Sequence, residues 1–292
     1  MKYVFFHSDL DGYVGGAILR TKYPNHKYIE CNYDNRIKPL DFLKPGDEVI
    51  IVDYSFLPEE MKWIKDCCQI IWLDHHISAI RDSIQHGYDS LNGIRKVGIS
   101  GAEIAWKWVY PEGSLPKFVK LVGEYDTFRN AYTKFFDTEV IPFFFGAETF
   151  LPGLNPLNFG KETYLFDLKN LSGLTKKFVN VGLVIFHHEK AVCAKINHDS
   201  AYVRNLWGLR VLCLNTSAVG SLCLTVPKTY DPEKHDMMLT YSYNGKRWTY
   251  GFYTDDQRHP EVDCSAIAKR YGGGGHPGAA GCTTTKLLEE LC

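Results

Sequence analysis

The chain has 292 residues, which is long for one compact domain and sufficient for two. Hydrophobic residues make up 45% and aromatic residues 14%, so the chain can bury real cores and its composition argues against disorder. The formal net charge of -1 argues against a protein that grips long DNA or RNA. Any nucleic-acid substrate is therefore expected to be short or to bind at a local site.

Targeting and redox signals are weak along the chain. The apolar run at residues 3–6 is too short for the core of a signal peptide, and the run at 140–145 is far too short for a membrane span. The nine cysteines include no C-x-x-C pair and are scattered through apolar stretches. Free thiols in a reducing cytosol explain this pattern best, so a cytoplasmic protein is expected.

The first 76 residues contain three apolar tetrads, each followed by polar residues. They are 3–6, 49–52 and 70–73. Continuous apolar tetrads are typical of strands that are buried on both faces of a parallel sheet. Helix-like stretches at 12–22 and 58–68 separate them, and a fourth strand, 27–31, is expected between the first two. Alternating strands and helices predict an α/β domain with a doubly wound, mainly parallel sheet.

The pattern becomes helical after about residue 98, at 102–109 and 116–127. Residues 135–174 are rich in Phe, Gly, Asn and Pro and are expected to be irregular, and 175–194 is expected to form a connecting helix. Strand-like runs then follow at 211–214, 238–243 and 247–253. Asn244-Gly245 between the last two runs is a strong signal for a two-residue hairpin.

Three parts of the chain follow from these patterns. We expect a metal-binding catalytic domain over residues 1–174, a connecting helix over 175–195, and a smaller mixed α/β domain over 196–292.

Candidate metal ligands follow each of the three tetrads. They are His7, Asp9 and Asp11 after the first, Asp53 after the second, and Asp74, His75 and His76 after the third. The carboxyl ends of parallel strands share one crevice, so these side chains are expected to converge. Crowded carboxylates need cations to neutralise them, and two metals about 3.5–4 Å apart would also clamp both oxygens of a phosphoryl transfer. An isolated Asp after a strand is usually a turn residue or a helix cap, but here three strands agree.

Several motifs resemble those of the DHH phosphoesterase family. They are H-S-D-L-D-G from residue 7, Asp53, D-H-H at 74–76, and G-E-Y-D-T at 123–127. The sequence G-G-G-G-H-P-G-A-A-G at 272–281 resembles the signature of that family's associated substrate domain. The short opening H-x-D-x-D-G looks most like the oligoribonuclease (nanoRNase) branch.

The resemblance implies two metal sites that share one bridging ligand. His7, Asp9 and Asp53 would hold one cation, and the other would be held by Asp11, Asp53, His75 and Asp126. Imidazole and carboxylate ligands with open positions suit two Mn²⁺ ions per chain, with Mg²⁺ or Co²⁺ as alternatives.

The implied reaction is hydrolysis by water that the two cations activate. Asp53 and His76 are the catalytic candidates, because Asp53 would bridge the metals and His76 would face the substrate phosphate. Asp74 is expected to orient His75.

The glycine run is the candidate substrate-binding loop. Gly273, Gly274 and Gly275 can turn backbone N–H groups toward an anion, and His276 adds a donor. Arg258 is the candidate for a nearby cation, although the strand before the loop departs from the family pattern. The alternative is a flexible turn before a helix that packs through residues 279–281. If the loop binds substrate, the C-terminal domain is expected to close over the crevice and hold the far phosphate or the terminal nucleoside.

The sequence therefore predicts a phosphodiesterase that hydrolyses short oligonucleotides or dinucleotides to nucleoside monophosphates. Two alternatives stay open, a cyclic-dinucleotide phosphodiesterase and a non-catalytic nucleotide sensor, and an inorganic pyrophosphatase is disfavoured. The expected partner is a short substrate, with no long duplex and no membrane, and a homodimer is left open.

Overall fold

The computed structural model describes residues 1–33, 35–131, 133–217, 220–225 and 227–289. The chain divides into two compact units, Met1–Phe186 and His187–Cys292. In the described part of the chain, every helix is too short or too polar to cross a bilayer.

The first unit is built on a five-stranded parallel sheet, as predicted. Its strands are β1 (Lys2–His7), β2 (Lys27–Cys31), β3 (Glu48–Val52), β4 (Gln69–Asp74) and β5 (Gly93–Arg95), in the spatial order β2-β1-β3-β4-β5. The first two apolar tetrads are buried on both faces of the sheet, and the third changes from half-buried Ile70 and Ile71 to buried Trp72 and Leu73.

The fourth strand, β2, was expected between the first two apolar strands. It lies between them along the chain but not in the sheet. In the sheet, β2 pairs with the outer side of β1, and β1 pairs directly with β3, with Phe6 opposite Val52. The spatial form of that expectation is wrong. Right-handed crossovers explain the order, because reversing the direction of winding after β2 brings β3 to the free side of β1.

Helices cover both faces of this sheet. The helices that begin in the first unit are α1 (Leu10–Lys22), α2 (Pro58–Cys67), α3 (Ile77–His86), α4 (Gly101–Val109), α5 (Lys117–Asp126), α6 (Ile141–Thr149), α7 (Leu151–Leu154) and α8 (Leu171–Ser200). Helices α2 and α3 pack against the face that carries Phe5 and Ile51. Helix α1 packs closely on the other face, where Gly15 and Gly16 bring its backbone near Val52 and Phe6.

Two expectations about the middle of the chain need correction. Residues 135–174 are not uniformly irregular, because a short π-helix (Phe136–Val140), α6 and α7 lie within them. The connecting helix is longer than 175–195 and runs from Leu171 to Ser200 across the boundary between the units. Near its C-terminal end, Asn197 is buried and donates to the carbonyl of Cys223 at 2.6 Å.

The second unit contains a six-stranded mixed sheet. Its elements are β6 (Ala201–Leu206), β7 (Leu209–Asn215), α9 (Leu222–Thr225), β8 (Met237–Tyr243), β9 (Trp248–Tyr253), α10 (Cys264–Arg270), β10 (Gly274–Gly275) and β11 (Ala279–Thr284). The spatial order is β10-β11-β9-β8-β7-β6, and only the pair β7–β8 is parallel. The segment that follows the glycine run is β11, so it is a strand and not the helix of the alternative interpretation.

The predicted hairpin between β8 and β9 is confirmed, with a longer connection. Four residues, 244–247, join the strands, because the Asn244 side chain accepts hydrogen bonds from the N–H groups of Lys246 and Arg247 at 3.0 and 2.9 Å. Gly245 supplies the positive φ of 90° that this turn requires.

Two glycines allow α6 and α8 to cross at backbone contact. A Cβ atom at Gly182 would overlap the carbonyl oxygen of Pro142, and one at Gly146 would overlap that of Phe178. Gly182→Ala should therefore destabilise the first unit by about 1–3 kcal/mol through overpacking. Thermal denaturation checks this, with Asn180→Ala on the exposed side of the same helix as the control. An equal melting temperature for both variants would contradict the close crossing.

Candidate metal centre

The candidate ligands of the first unit converge at the carboxyl ends of three adjacent strands. His7 ends β1, Asp53 directly follows β3, and His75 directly follows β4. Since β2 and β3 lie on opposite sides of β1, the gap between β1 and β3 is the point where the sheet changes its direction of winding. Ligands bind at such points in open α/β sheets.

Asp53 lies at the centre of this convergence. Its side chain is 1% exposed, and its backbone has a φ of 56°, in the left-handed region that Asp and Asn tolerate better than most residues. The hydrogen bond from its N–H to the carbonyl of Leu73 holds this conformation at 2.9 Å. Asp53 Oδ1 lies 3.1 Å from His75 Nε2, and Asp53 Oδ2 lies 3.8 Å from His7 Nδ1.

Within the first unit, the potential ligand atoms form three overlapping groups. The groups are His7, Asp9 and Asp53; Asp11, Asp53 and His75; and Asp53, Asp74 and His76. In each group, the atoms lie within 4.8 Å of one another. The structure thus brings together the first predicted ligand set and most of the second, and all three groups share Asp53.

Asp11 is held by the N-terminus of α4. Its carboxylate accepts hydrogen bonds from the N–H groups of Gly101 at 2.6 Å and Ala102 at 2.9 Å. Gly101 permits this approach, because a Cβ there would lie 2.5 Å from the Cβ of Asp53. The sequence S-G-A-E, residues 100–103, is a capping box that marks this helix end, but it gives no indication that the helix would hold Asp11.

Asp126 enters the centre from the last residue of α5, with Oδ2 3.5 Å from His75 Nε2. The buried carboxylate of Glu103 on α4 pairs with Arg129 at 2.9 Å, three residues beyond Asp126. This ion pair links the helix end that holds Asp11 to the segment that follows Asp126.

Asp74 contacts the ring of His76, which corrects the expectation that it orients the ring of His75. Asp74 Oδ1 lies 2.8 Å from His76 Nδ1 and accepts the main-chain N–H of His75 at 2.7 Å. The rings of the two histidines lie close together, with centroids 4.5 Å apart, and Nδ1 of His76 is the ring atom that contacts this carboxylate. Burial alone would lower the pKa of His76, but the charge of Asp74 raises it overall.

Crowding of carboxylates dominates the electrostatics of the centre. Burial raises the pKa of Asp53 well above its usual value, and the charges of Asp11 and Asp9 raise it further. The pKa of Asp126 is raised by the same causes in the same order. For Asp9, burial also acts to raise the pKa, but the adjacent His7 ring, with Nδ1 2.7 Å away, lowers it overall.

The donor set fits divalent cations. Asp53 Oδ2 and Asp126 Oδ2 are buried and have no hydrogen-bond partner among the residues that the structure describes. Buried polar atoms are normally satisfied, so two unpartnered carboxylate oxygens at a single site fit the coordination of a cation. Imidazole nitrogens with carboxylate oxygens are ligands that Mn²⁺ and related ions accept.

Arg258 is the candidate substrate-binding cation of the second unit. Arg258 is exposed, with Nε 3.9 Å from Asp255 Oδ2 and Nη1 4.0 Å from Glu233 Oε1. Its charge is therefore shared with two acids of its own unit.

The glycine run forms the edge hairpin of the second sheet. Gly274 and Gly275 make up β10 and pair with β11. The N–H of Gly273 donates to the carbonyl of Ala268 at 2.9 Å, and that of His276 donates to Ala279 at 2.7 Å. These two donors are committed to the backbone, so the loop presents fewer N–H groups to an anion than its sequence suggests.

Comparison with known proteins finds no protein-family model that matches. An uncharacterized protein of Acanthamoeba polyphaga mimivirus is 24% identical over 271 residues, which is 87% of this chain and 58% of the viral protein. The chain therefore spans less than two thirds of the length of that relative.

Solved structures of DHH-domain proteins share the fold. The pGpG-specific phosphodiesterase PggH of Vibrio cholerae aligns with 99% of this chain and 94% of its own, at a TM-score of 0.53 and 14% identity. A DHH domain from a member of a family of ribosomal proteins covers 97% and 82%, at a TM-score of 0.57 and 14% identity.

RecJ of Thermus thermophilus, in complex with Mn²⁺, covers 97% of this chain and 49% of its own, at a TM-score of 0.53 and 13% identity. At such low identity these likenesses establish the fold alone, an α/β fold of the kind that DHH-domain proteins have.

The raised pKa of Asp53 gives a signed prediction for the metal-free protein. A carboxyl with a raised folded pKa binds more protons in the folded state, so its contribution to the free energy of unfolding falls as pH rises. The fall begins near the ordinary Asp pKa of about 3.9 and continues through the raised value. Asp53→Asn, which cannot ionise and tolerates the positive φ, should therefore melt above the wild type by a margin that grows with pH.

Thermal melts in EDTA from about pH 4.5, just above the ordinary Asp pKa, to about pH 8 measure this margin. Added Mn²⁺ should stabilise the wild type strongly and the variant weakly, because only the wild type offers the full carboxylate set. A margin that is constant with pH would show that Asp53 ionises normally in the folded protein.

Proposed function

We propose that the chain is a DHH-family phosphodiesterase that hydrolyses short oligonucleotides or dinucleotides to nucleoside monophosphates. The family motifs and the shared fold support the family, and the short opening motif favours the oligoribonuclease branch. Among the similar structures, PggH is named as a pGpG-specific phosphodiesterase, and RecJ is in complex with Mn²⁺.

One observation carries the proposal: Asp53 is common to three groups of potential metal ligands at the switch point of the sheet. A shared carboxylate favours two adjacent cations over one. His7, Asp9 and Asp53 would hold the first cation, and the second would be held by Asp11, Asp53, His75 and Asp126. When bound, two Mn²⁺ ions would supply Lewis-acid stabilisation of the phosphoryl group and a nucleophile near neutral pH.

The protein's own residues orient this chemistry. The main-chain donors of α4 fix the carboxylate of Asp11, and Leu73 fixes the backbone of Asp53. Asp74 holds Nδ1 of His76, so Nε2 is the ring nitrogen that would meet a phosphate oxygen. We assign His76 to the stabilisation of negative charge on the reacting phosphate.

The second unit is proposed to bind the far phosphate or the terminal nucleoside of the substrate. Gly273, Gly274, Gly275, His276 and Arg258 remain the assigned residues, with fewer available backbone donors than a phosphate-binding loop of this sequence would offer. The two-domain assignment, the cytoplasmic location and a homodimer likewise stay predictions.

A panel of substrates tests the proposal. Purified protein with Mn²⁺ should hydrolyse dinucleotides faster than a cyclic dinucleotide, pyrophosphate or a long oligonucleotide. Asp53→Asn should reduce this activity to a few per cent or less, since no neighbouring carboxylate occupies the same position. It is a better variant than Asp53→Ala, because Ala would add strain at a φ of 56°.

Each other outcome supports a different function. Preferential cleavage of the cyclic dinucleotide would favour the first alternative, and nucleotide binding with no turnover would favour a sensor. Hydrolysis of pyrophosphate alone would replace the diesterase with a pyrophosphatase.

His76 is predicted to act on the rate rather than on metal content. His76→Ala should lower kcat about 10²–10³-fold, as expected for a lost transition-state contact, while bound Mn²⁺ stays near the wild-type amount. Steady-state kinetics and elemental analysis measure the two effects, with the exposed His86→Ala as the control. Because His76 Nδ1 lies only 3.9 Å from Asp53, a parallel loss of Mn²⁺ would identify His76 as a ligand instead.

A further inference from the structure

A tyrosine in the loop after β2 lies against the histidines of the metal centre. The ring centroid of Tyr33 is 5.2 Å from that of His7 and 6.2 Å from that of His76. Tyr54 stacks on Tyr33 with centroids 4.7 Å apart, and the Tyr33 hydroxyl accepts the N–H of Ser55 at 3.2 Å. These contacts fix the ring at the rim of the centre.

Arg36 extends this stack toward solvent. Its guanidinium carbon lies 5.0 Å from the centroid of Tyr33, and the side chain is exposed. No carboxylate lies within ion-pair distance of Arg36 among the residues that the structure describes in the first unit. Arg129, by contrast, is committed to Glu103 at 2.9 Å and to the carbonyl of Gly98 at 3.2 Å.

The position of Arg36 suits the binding of an anion better than the neutralisation of the carboxylates in the centre. Among the described residues, neither Asp9 nor Asp53 lies within ion-pair distance of Arg36, and the Tyr33 ring that Arg36 contacts also lies against His7. A guanidinium stacked on an aromatic ring keeps its N–H edge free and is pre-organised to bind phosphate with two parallel hydrogen bonds. Its charge has no carboxylate partner in the described part of the first unit, and it lies one ring away from the candidate centre.

We propose that Arg36, supported by Tyr33, binds a second phosphate of the substrate, next to the one that is hydrolysed. This inference rests on the proposed function and narrows its substrate class to dinucleotides that carry a terminal phosphate. The terminal nucleoside is left to the second unit.

Substrates that differ in their terminal phosphate test whether Arg36 binds the second phosphate. The assay compares the wild type with Arg36→Ala, Arg36→Lys and a control, Lys38→Ala, which removes an exposed cation of the same loop. Each protein is assayed with Mn²⁺ on four substrates: pApA, ApA, ApAp and bis-p-nitrophenyl phosphate. Losing a charge-assisted bond to phosphate should lower kcat/KM on pApA roughly 10–100-fold, mainly through KM. The loss on ApA should be small, Arg36→Lys should recover part of it, and Lys38→Ala should match the wild type.

Two further comparisons test on which side the second phosphate lies and which residue binds it. A loss that follows ApAp rather than pApA would place the second phosphate on the 3′ side and keep the role of Arg36. Equal losses on pApA and ApA, or no loss on any substrate, would overturn it. A phosphate-specific loss in His276→Ala but not in Arg36→Ala would transfer the role to the glycine loop.

Failure of the proposed function gives a different result. In that case no diester, including bis-p-nitrophenyl phosphate, is hydrolysed by the wild type. Calorimetric titration of pApA and ApA into the wild type and Arg36→Ala then decides the inference, because weaker binding of pApA alone supports it and equal binding overturns it.

Discussion

The burial of Asp53 among other carboxylates is the constraint on which the first unit depends. Its raised pKa shows that the folded chain opposes full ionisation of this cluster. A buried charge of this kind is tolerated only when a proton or a cation neutralises it. The left-handed backbone adds a second cost, which the hydrogen bond to Leu73 helps to offset. Both costs are concentrated at the one residue that all three ligand groups share.

The topology of the sheet explains why these ligands meet at all. Direct pairing of β1 with β3 brings Asp53 beside His7, although more than forty residues separate them along the chain. Glycine then sets how closely the helices approach: Gly12 lets α1 begin against the main chain of His7, and Gly101 lets α4 reach Asp11. The metal centre is thus a consequence of backbone approach as much as of ligand chemistry.

Sequence patterns predicted the parts of this centre that have local causes. Apolar tetrads identified the three strands, and the polar residues that follow them are the candidate ligands that converge at the strand ends. Asp126 lies on a helix, where no periodic signal marks it, and only the family resemblance selected it. The place of β2 at the sheet edge and the choice of Asp74 for the ring of His76 were predicted incorrectly. Both depend on contacts between segments, which local patterns do not encode.

The glycine run shows how sequence and structure can assign one motif differently. As a sequence, it offers consecutive backbone donors, but in the fold the N–H groups of Gly273 and His276 close a helix end and a hairpin. Close packing explains the glycines independently, because a Cβ at Gly273 would overlap the carbonyl of Gly281. Anion recognition must then rely more on side-chain cations. Arg258 shares its charge with acids, whereas Arg36 is stacked on Tyr33 beside the centre. If phosphate is bound through single cations, as proposed, a chain with a net charge of -1 would be suited to one or two phosphates at a time, which favours short substrates over a long strand.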